Sequence, residues 1–523
     1  MIRLRPQAPR DDGGGGMDLR TTHASWVYLT DGDVWKVKRP VDLGFLDFRT
    51  VEARRRACED EVRLNRRLAP GIYLGVEPVR ASPEGPVIGG SGAIVDWAVH
   101  MRRLPDQASA AALLQRGLLR PERLAGLAEK LAAFWVGARP RPDLGAPDLL
   151  RRNVDENFAQ VAPFMGDLVE RASFDDVRAF QLDVLASRGD RFNARVDEGR
   201  IRDGHGDLRL EHVYFLPPPD GIVVIDCIEF NDRFRCGDVA GEAAFLAMEL
   251  EAARRPDLAA GFLARLAEAS DDFGLYGVVD FYLSYRAWVR GKVAAFLAAD
   301  PNSDVGLRAQ KREEARRLFA LARSFSGIPA DAPFLIAVGG VVGGGKSTLA
   351  AALGQELAAP VVSSDRTRKA LAGLAPTDQG DARLYTTEAI DRNYRAILGR
   401  AERVLASGRG VILDATFSAR RWRDAATDLA RATGARFAHL EATCADRAIL
   451  RTRLAARRAR PSVSDATDAQ LEALLARREP FAPHELRARV AIDTSRDPAG
   501  SLRAAVRALE AMGVHTASTR QAS

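Results

Sequence analysis

About two-thirds of the way along the chain, an apolar run, Phe334 to Val338, enters Gly340, Val341, Val342, Gly343, Gly344, Gly345, Lys346 and Ser347, and Thr348 opens a helix-forming run. This is the phosphate-loop pattern GxxxxGK(S/T) set between a strand and a helix. The glycines let consecutive backbone N–H groups turn toward a polyphosphate, and the helix N-terminus adds partial positive charge. Lys346 is expected on the β- and γ-phosphates and the Ser347 hydroxyl on magnesium. Residues Gly340 to Thr348 are thus the expected site of a nucleoside triphosphate. Asp365, just past the apolar run at 360–363, would lie at the carboxyl edge of a parallel sheet, where it would orient or deprotonate an acceptor hydroxyl. Arg368 would face the same ligand from the first helical turn. Asp414 closes the strand Val411, Ile412, Leu413 and would hold the magnesium shell. Arg453 and Arg457, four apart on one helix face, would close over the phosphates and stabilise the charge that develops in transfer.

A second set of such residues lies in the N-terminal half. His205, Gly206, Asp207 and Leu208 place an aspartate in a tight loop, and Asp226 ends an apolar strand nineteen positions later. Phosphoryl transfer needs one carboxylate to orient the acceptor hydroxyl and another to hold magnesium on the triphosphate. It also needs a strand lysine on the phosphates, often steadied by a helix glutamate. Lys36 or Lys38, Glu61, Asp207 and Asp226 supply these parts in chain order. The chain has only seven lysines among 76 basic residues, so two on one strand are conspicuous.

These residues need particular elements to position them. Runs 25–30 and 33–38, joined by Asp31-Gly32, predict a hairpin whose second strand shows Val34, Lys36 and Lys38 on one face and Trp35 and Val37 on the other. A helix is expected over 50–68. Further short strands are expected near 92–101, and from about 105 the pattern is helical to about 325, through 109–116, 121–138, 148–169 and 174–189, broken by a β-rich island at 204–226. From 334 onward, strands at 334–339, 359–363, 410–414, 436–441 and 489–493 alternate with helices, which predicts a doubly wound parallel sheet. The expected division is a Gly- and Arg-rich disordered leader over 1–16, with Met17 as a possible start, a first domain over 17–325, a linker over 326–333, a second domain over 334–514 and a frayed tail over 515–523.

A length of 523 residues implies two or three domains. Composition is that of a soluble globular protein, with 46% hydrophobic and 28% charged residues. There is no apolar run long enough to span a bilayer and no signal-peptide core, so no membrane partner is expected. Cys58, Cys227, Cys236 and Cys444 lack CxxC spacing, which argues against a zinc site or disulfide framework and fits a reducing cytoplasm. The net charge of +6 is dispersed among interleaved acids and bases. With no dense basic block or aromatic-basic alternation, nucleic acid is the less favoured partner.

The HGDL loop at 205–208, the Ile225-Asp226 strand end and the segment Gly237 to Glu242 resemble the aminoglycoside phosphotransferase-like branch of the protein-kinase fold, over about residues 20–300. The resemblance implies Asp207 as the catalytic aspartate, Asp226 as the magnesium aspartate, Glu61 as the partner of the strand lysine and Val95–Met101 as the hinge that holds adenine. Where that family has a magnesium-binding asparagine, five residues past the catalytic aspartate, this chain has His212. Imidazole is a poor ligand for a hard cation, and Glu229 would share the role. Residues 334–495 are similar to small P-loop kinases grouped with polynucleotide kinase, zeta toxin and gluconate kinase, through the phosphate loop, Asp365-x-x-Arg368, Asp414-Ala415-Thr416 and the arginine lid. The whole layout resembles bacterial fusions of an aminoglycoside phosphotransferase-like domain with a P-loop ATP-binding domain. That implies a phosphotransferase with two ATP and Mg2+ sites and small hydroxyl compounds as acceptors. The other reading makes the C-terminal half a nucleic-acid 5′-hydroxyl kinase and the N-terminal lobe an inactive, ATP-binding regulator.

Overall fold

A computed structural model describes residues 2–3, 17–22, 24–42, 44, 46–301, 303–327, 332–458, 463, 468–495 and 497–515. The chain divides into two compact units, residues 1–160 with 182–249 and residues 161–181 with 250–523.

The first unit begins with strands β1 (Ile2–Arg3), β2 (Asp18–Thr21), β3 (Ser25–Leu29) and β4 (Asp33–Lys38), helix α1 (Val51–Asn65), and strands β5 (Tyr73–Arg80), β6 (Val87–Ile88) and β7 (Ile94–Arg102). These strands form an antiparallel sheet in the order β1-β6-β5-β7-β4-β3-β2. Alternation along β4 sends Trp35 and Val37 into a core with Tyr28, Val79, Ile88 and Ala98. It turns Val34, Lys36 and Lys38 to the opposite face, where α1 packs Cys58 and Val62 against Tyr73, Val99 and Met101. The Thr50 hydroxyl caps α1 by accepting from Ala53 N at 3.1 Å. The pairing of Ile2–Arg3 with Val87–Ile88 makes that part of the expected disordered leader a sheet edge. Residues 1 and 4–16 lie outside the described residues.

Helices α2 (Ala110–Gln115), α3 (Pro121–Gly137), α4 (Pro147–Val161), α5 (Arg171–Ser187) and α6 (Gly189–Asp197) follow. The helix expected to run to residue 169 therefore stops eight residues short, with Pro163 unable to continue its hydrogen-bond ladder. The island at 204–226 is bracketed by two short antiparallel pairs. β8 (Ile201–Asp203) lies beside β11 (Cys236–Asp238), and β9 (Val213–Phe215) beside β10 (Ile222–Val224). Helices α7 (Asp232–Arg235) and α8 (Val239–Ala252) complete this stretch.

The second unit contains α9 (Pro256–Ser270), α10 (Val279–Ala299) and α11 (Val305–Ser324). Then come β12 (Phe334–Gly340), α12 (Lys346–Glu356), β13 (Val361–Ser363), α13 (Ser364–Leu371), α14 (Thr387–Leu405), β14 (Val411–Asp414) and α15 (Arg420–Ala432). It ends with β15 (Arg436–Thr443), α16 (Arg447–Arg458), α17 (Asp468–Arg477), β16 (Arg489–Asp493) and α18 (Pro498–Ala511). Its strands are all parallel, in the order β13-β14-β12-β15-β16. β12 is buried throughout and packs Ile336 and Val338 with Leu349, Leu353, Ile412 and Leu440. The strand order reverses at β12, so its carboxyl end is where a sheet of this kind binds ligands.

The packing divides after residue 249 rather than at 326–333, and residues 328–331 of that segment lie outside the described residues. Specific bonds tie the stretch 268–280 to β13, α14 and the segment just before β14. Glu268 Oε1 accepts from Val361 N at 2.8 Å, Arg400 Nε donates to Asp271 at 2.8 Å and Arg409 pairs with Asp280 at 2.5 Å. Of the expected tail, only His515 is described.

Candidate active sites

In the first unit, β4, α1 and the loop after β10 bring together residues far apart in sequence. Lys36 Nζ lies 2.9 Å from Glu61 and 2.6 Å from Asp226. Lys38, one pleat further on the same face, is 2.5 Å from the other Glu61 oxygen and also pairs with Glu229. Burial alone would lower the Lys36 ammonium, but Asp226 and Glu61 outweigh it and hold it well above the usual lysine value. Lys38 is likewise driven up to about 12, against its burial, by Glu229 and Glu61. Glu61 is buried too, yet the two lysines keep it below the usual glutamate value. Asp226 is held far below the carboxylate range by Lys36 and then His212, against desolvation. Its carboxylate is 45% exposed, so the pairing with Lys36 rather than a dry pocket sets its charge.

The catalytic-loop candidates stand beside this network. His212 Nδ1 is 2.8 Å from the Asp207 carbonyl and 3.5 Å from Asp207 Oδ2, and its Nε2 is 3.6 Å from Asp226 Oδ2. The histidine thus occupies the space between the two aspartates. Asp226 has φ +65°, a conformation aspartate tolerates better than most residues, and its N–H donates to the Tyr73 hydroxyl at 3.1 Å. His205 is structural. Its Nε2 lies 2.9 Å from the Ile225 carbonyl, and burial, then His212, lowers it to about 4. Gly206, at φ +83°, has no room for a Cβ, which would sit 2.8 Å from the Phe234 carbonyl.

Two glutamates on α8 hold the loop. Glu242 accepts from the N–H groups of His205 and Gly206 and from Trp135 Nε1. Glu249 accepts from Leu210 N at 2.7 Å and pairs with Arg209. No spacing rule links either to a loop more than thirty residues upstream; only the resemblance of the segment Gly237 to Glu242 pointed toward the first.

Two expectations need correction here. Glu229 is buried and turned into Lys38, with burial raising it above the usual value despite that lysine, so it does not present an open metal-binding carboxylate. The segment Val95–Met101 lies inside β7, paired with β4 on one side and β5 on the other. Its peptide groups are committed to the sheet rather than to a nucleotide hinge.

In the second unit, β12 delivers the phosphate loop to the sheet's carboxyl edge and α12 starts at Lys346. Gly345 takes φ +82°, and a Cβ there would lie 3.0 Å from Thr494 Cβ. The Thr494 hydroxyl donates to the Gly344 carbonyl at 2.7 Å, and Gly344 N donates to Val341 O at 3.1 Å. Val341 is buried with Leu450, Leu454 and Leu471, and Val342 packs on the same cluster, so these loop valines seat α16 and α17 beside the site. Gly340 N and Gly343 complete the turn, while Ser347 is half-buried and Thr348 exposed in the first turn of α12. Arg453 Nη2 donates to the Thr494 carbonyl at 2.6 Å, which fixes that arginine beside the loop. The Arg457 side chain lies outside the described residues.

Asp365 stands in the first turn of α13, capped by Ser363, and receives Arg368 Nη1 at 2.6 Å. The Arg368 guanidinium lies over the Tyr385 ring at 4.8 Å. Asp414 ends β14 in register with Val338 and Ser363, which places the metal-side candidate next to both the phosphate loop and the Asp365 segment.

Magnesium takes hard oxygen donors and is commonly held by one or two carboxylates together with substrate phosphates. Ser347 with Asp414, and Asp226 in the other unit, fit that demand; the His212 imidazole does not. Among the described residues no three His, Cys, Asp or Glu side chains form a preformed metal cluster. No helix of the described residues is long and apolar enough to cross a membrane.

The AAA domain family model matches residues 335–481. Solved structures similar to parts of the chain include a putative aminoglycoside phosphotransferase from Ralstonia eutropha JMP134, at 12% identity over 60% of this chain and 94% of that one, TM-score 0.35. A gluconokinase from Sinorhizobium meliloti 1021 matches at 22% identity over 34% of this chain and 93% of that one, TM-score 0.27. The AAA domain match falls on the phosphate loop and on four of the five strands of the parallel sheet, and the chain as a whole is mixed α/β. Uncharacterized protein Rv2004c of Mycobacterium tuberculosis (strain ATCC 25618 / H37Rv) and uncharacterized protein Mb2027c of Mycobacterium bovis (strain ATCC BAA-935 / AF2122/97) are each 33% identical over 432 residues, 80% of this chain and 82% of theirs. The chain belongs to the family of these two mycobacterial proteins.

Proposed function

We propose that the protein is an ATP-dependent phosphotransferase with a nucleotide site in each half, moving the γ-phosphoryl group to hydroxyls of small molecules. The observation that carries this reading is the Lys36 ammonium between Glu61 and Asp226, three residues from separate segments meeting within 2.9 Å. A purely structural ion pair does not require a half-exposed aspartate at the mouth of the network with a second carboxylate, Asp207, across His212 from it. Lys36 would leave Asp226 to take the phosphates, and Asp207 would orient the acceptor hydroxyl. In the P-loop half, Lys346 and Arg453 would hold the phosphates, and Arg457 would assist from the same helix. Asp365, held in place by Arg368 at 2.6 Å, would receive the acceptor's proton. Magnesium, held by Ser347 and Asp414 and in the other half by Asp226, would neutralise charge on the β- and γ-phosphates.

The test is ATP consumption by the wild type and by Asp207→Ala, Lys346→Ala and the double variant against sugars, aminoglycosides, nucleosides and 5′-hydroxyl oligonucleotides. Each single variant is expected to abolish turnover of its own set of acceptors. If neither lowers any acceptor-dependent turnover, the proposal fails. Turnover confined to oligonucleotides and lost only with Lys346 would instead favour a nucleic-acid kinase with a regulatory N-terminal lobe.

A further inference from the structure

We infer that Asn393 and Tyr394, adjacent on α14, are a positioning pair that sets the three loops of the P-loop site against one another; this rests on the phosphotransferase reading of that site. Both side chains are buried. Asn393 Nδ2 lies 3.1 Å from the Ser364 carbonyl and 3.2 Å from its hydroxyl. Ser364 immediately precedes Asp365, and its hydroxyl also receives Arg368 Nη2 at 3.2 Å. The Tyr394 hydroxyl accepts from Phe417 N at 2.9 Å and pairs with Thr416 Oγ1 at 3.2 Å, two residues past Asp414. The Thr416 carbonyl in turn accepts from Gly340 N at 3.2 Å, at the start of the phosphate loop. The acceptor-side aspartate, the metal-side aspartate and the phosphate loop are thus each within two residues of a bond that leads back to positions 393–394.

Packing alone does not account for this arrangement. Neighbouring residues on a helix point about 100° apart, so two adjacent side chains ordinarily serve different surroundings. Here both end on loops of one site. Tyr394 stacks on Trp422 at 4.8 Å and 6° and meets Phe417 edge-on at 5.7 Å. A phenylalanine would keep those contacts; the hydroxyl adds only the bonds to Thr416 and Phe417. Phe417 is held at φ +48°, a sparsely populated conformation for a bulky residue, and the N–H of that residue is the one Tyr394 receives. The loop after Asp414 therefore has its course set from α14. Misplacing a reacting group by about 1 Å costs roughly 100-fold in rate, so loss of the pair should appear in the transfer step rather than in nucleotide binding.

The experiment uses the full-length protein carrying Asp207→Ala, so that turnover reports the P-loop site, and follows ATP hydrolysis with water in the acceptor's place. A fluorescent ATP analogue gives nucleotide Kd, and thermal unfolding gives Tm. Tyr394→Phe and, separately, Asn393→Ala are expected to lower kcat by about tenfold or more. Analogue Kd should stay within about twofold and Tm within roughly 4 °C of the parent. If kcat of both variants stays within about twofold while Lys346→Ala is inactive, the positioning role is overturned and the phosphotransferase reading stands. A parallel fall of kcat, affinity and Tm would show a structural role and overturn it too. A parent without any turnover that Lys346→Ala removes would overturn the phosphotransferase reading, and the positioning role with it.

Discussion

Substituting Lys38 by methionine tests whether the two-lysine network holds the first site together. Lys38 is 2% exposed and carries both Glu61 and Glu229, which are themselves buried. Methionine keeps the aliphatic volume and removes the charge. Breaking a buried pair by deleting one partner costs about 3–5 kcal/mol. The lower end applies here, because Glu61 keeps Lys36 and Glu229 can take up a proton. A loss of about 3 kcal/mol corresponds to about a 150-fold rise in hydrogen exchange for β4 and α1 peptides, whereas β12 peptides in the other unit should be unchanged. Glu229 also gives the loss a pH signature. Burial already lifts its folded value above the unfolded one. Such a carboxyl stabilises the fold below its unfolded value and loses that contribution as pH rises through its folded value. Removing Lys38 lifts the folded value further, so the penalty relative to wild type should be larger at about pH 8 than at about pH 5.5. Adding Glu229→Gln to Lys38→Met should recover about 2 kcal/mol, since it removes the stranded charge. A loss below about 1 kcal/mol, a loss equal at both pH values, or strictly additive variants would refute the network argument.

His212→Asn replaces the imidazole between Asp207 and Asp226 with a hard amide oxygen. In a Lys346→Ala background, the magnesium concentration for half-maximal ATP turnover should fall about tenfold; an unchanged requirement would place His212 outside the metal's surroundings. Gly345→Ala puts a Cβ 3.0 Å from Thr494 at φ +82°. It should weaken binding of a fluorescent ATP analogue by about tenfold, the equivalent of roughly 1–2 kcal/mol of backbone strain, and wild-type affinity would show that the loop does not depend on this conformation.

The legible parts of the molecule are those whose signal is contiguous. All five strands of the parallel sheet appear at their expected places because each contains a short apolar run, with β12 and β14 buried throughout. Asp365 and Asp414 follow from lying at the ends of two of those runs. The division of the chain was not legible in the same way. The expected linker over 326–333 rests on local loop signals, which say nothing of the bonds that Glu268, Asp271 and Asp280 before it make to Val361, Arg400 and Arg409 after it. Asn393 and Tyr394 carried no signal at all. Buried on an amphipathic helix, they look like any other core positions, and their partners lie 22 to 29 residues away, at the start of α13 and on the loop after β14.

The paired lysines show where pattern stops and geometry begins. Alternation along β4 correctly puts Lys36 and Lys38 on one face, and it treats them as equivalent candidates for the phosphates. The structure makes them unequal, because one pleat of about 7 Å separates a lysine at the mouth of the site from one in its floor. Lys36 is within reach of the half-exposed Asp226, whereas Lys38 is enclosed by Glu61 and Glu229. That enclosure also explains why Glu229 resembles a metal ligand in sequence and is none in space. Three residues past Asp226, it serves the buried lysine instead. A glutamate shared by two lysines can release Lys36 to a phosphate without becoming an unpaired buried charge. With only one lysine, that release would strand Glu61. The second lysine would thus keep Glu61 paired if the first turned to a phosphate.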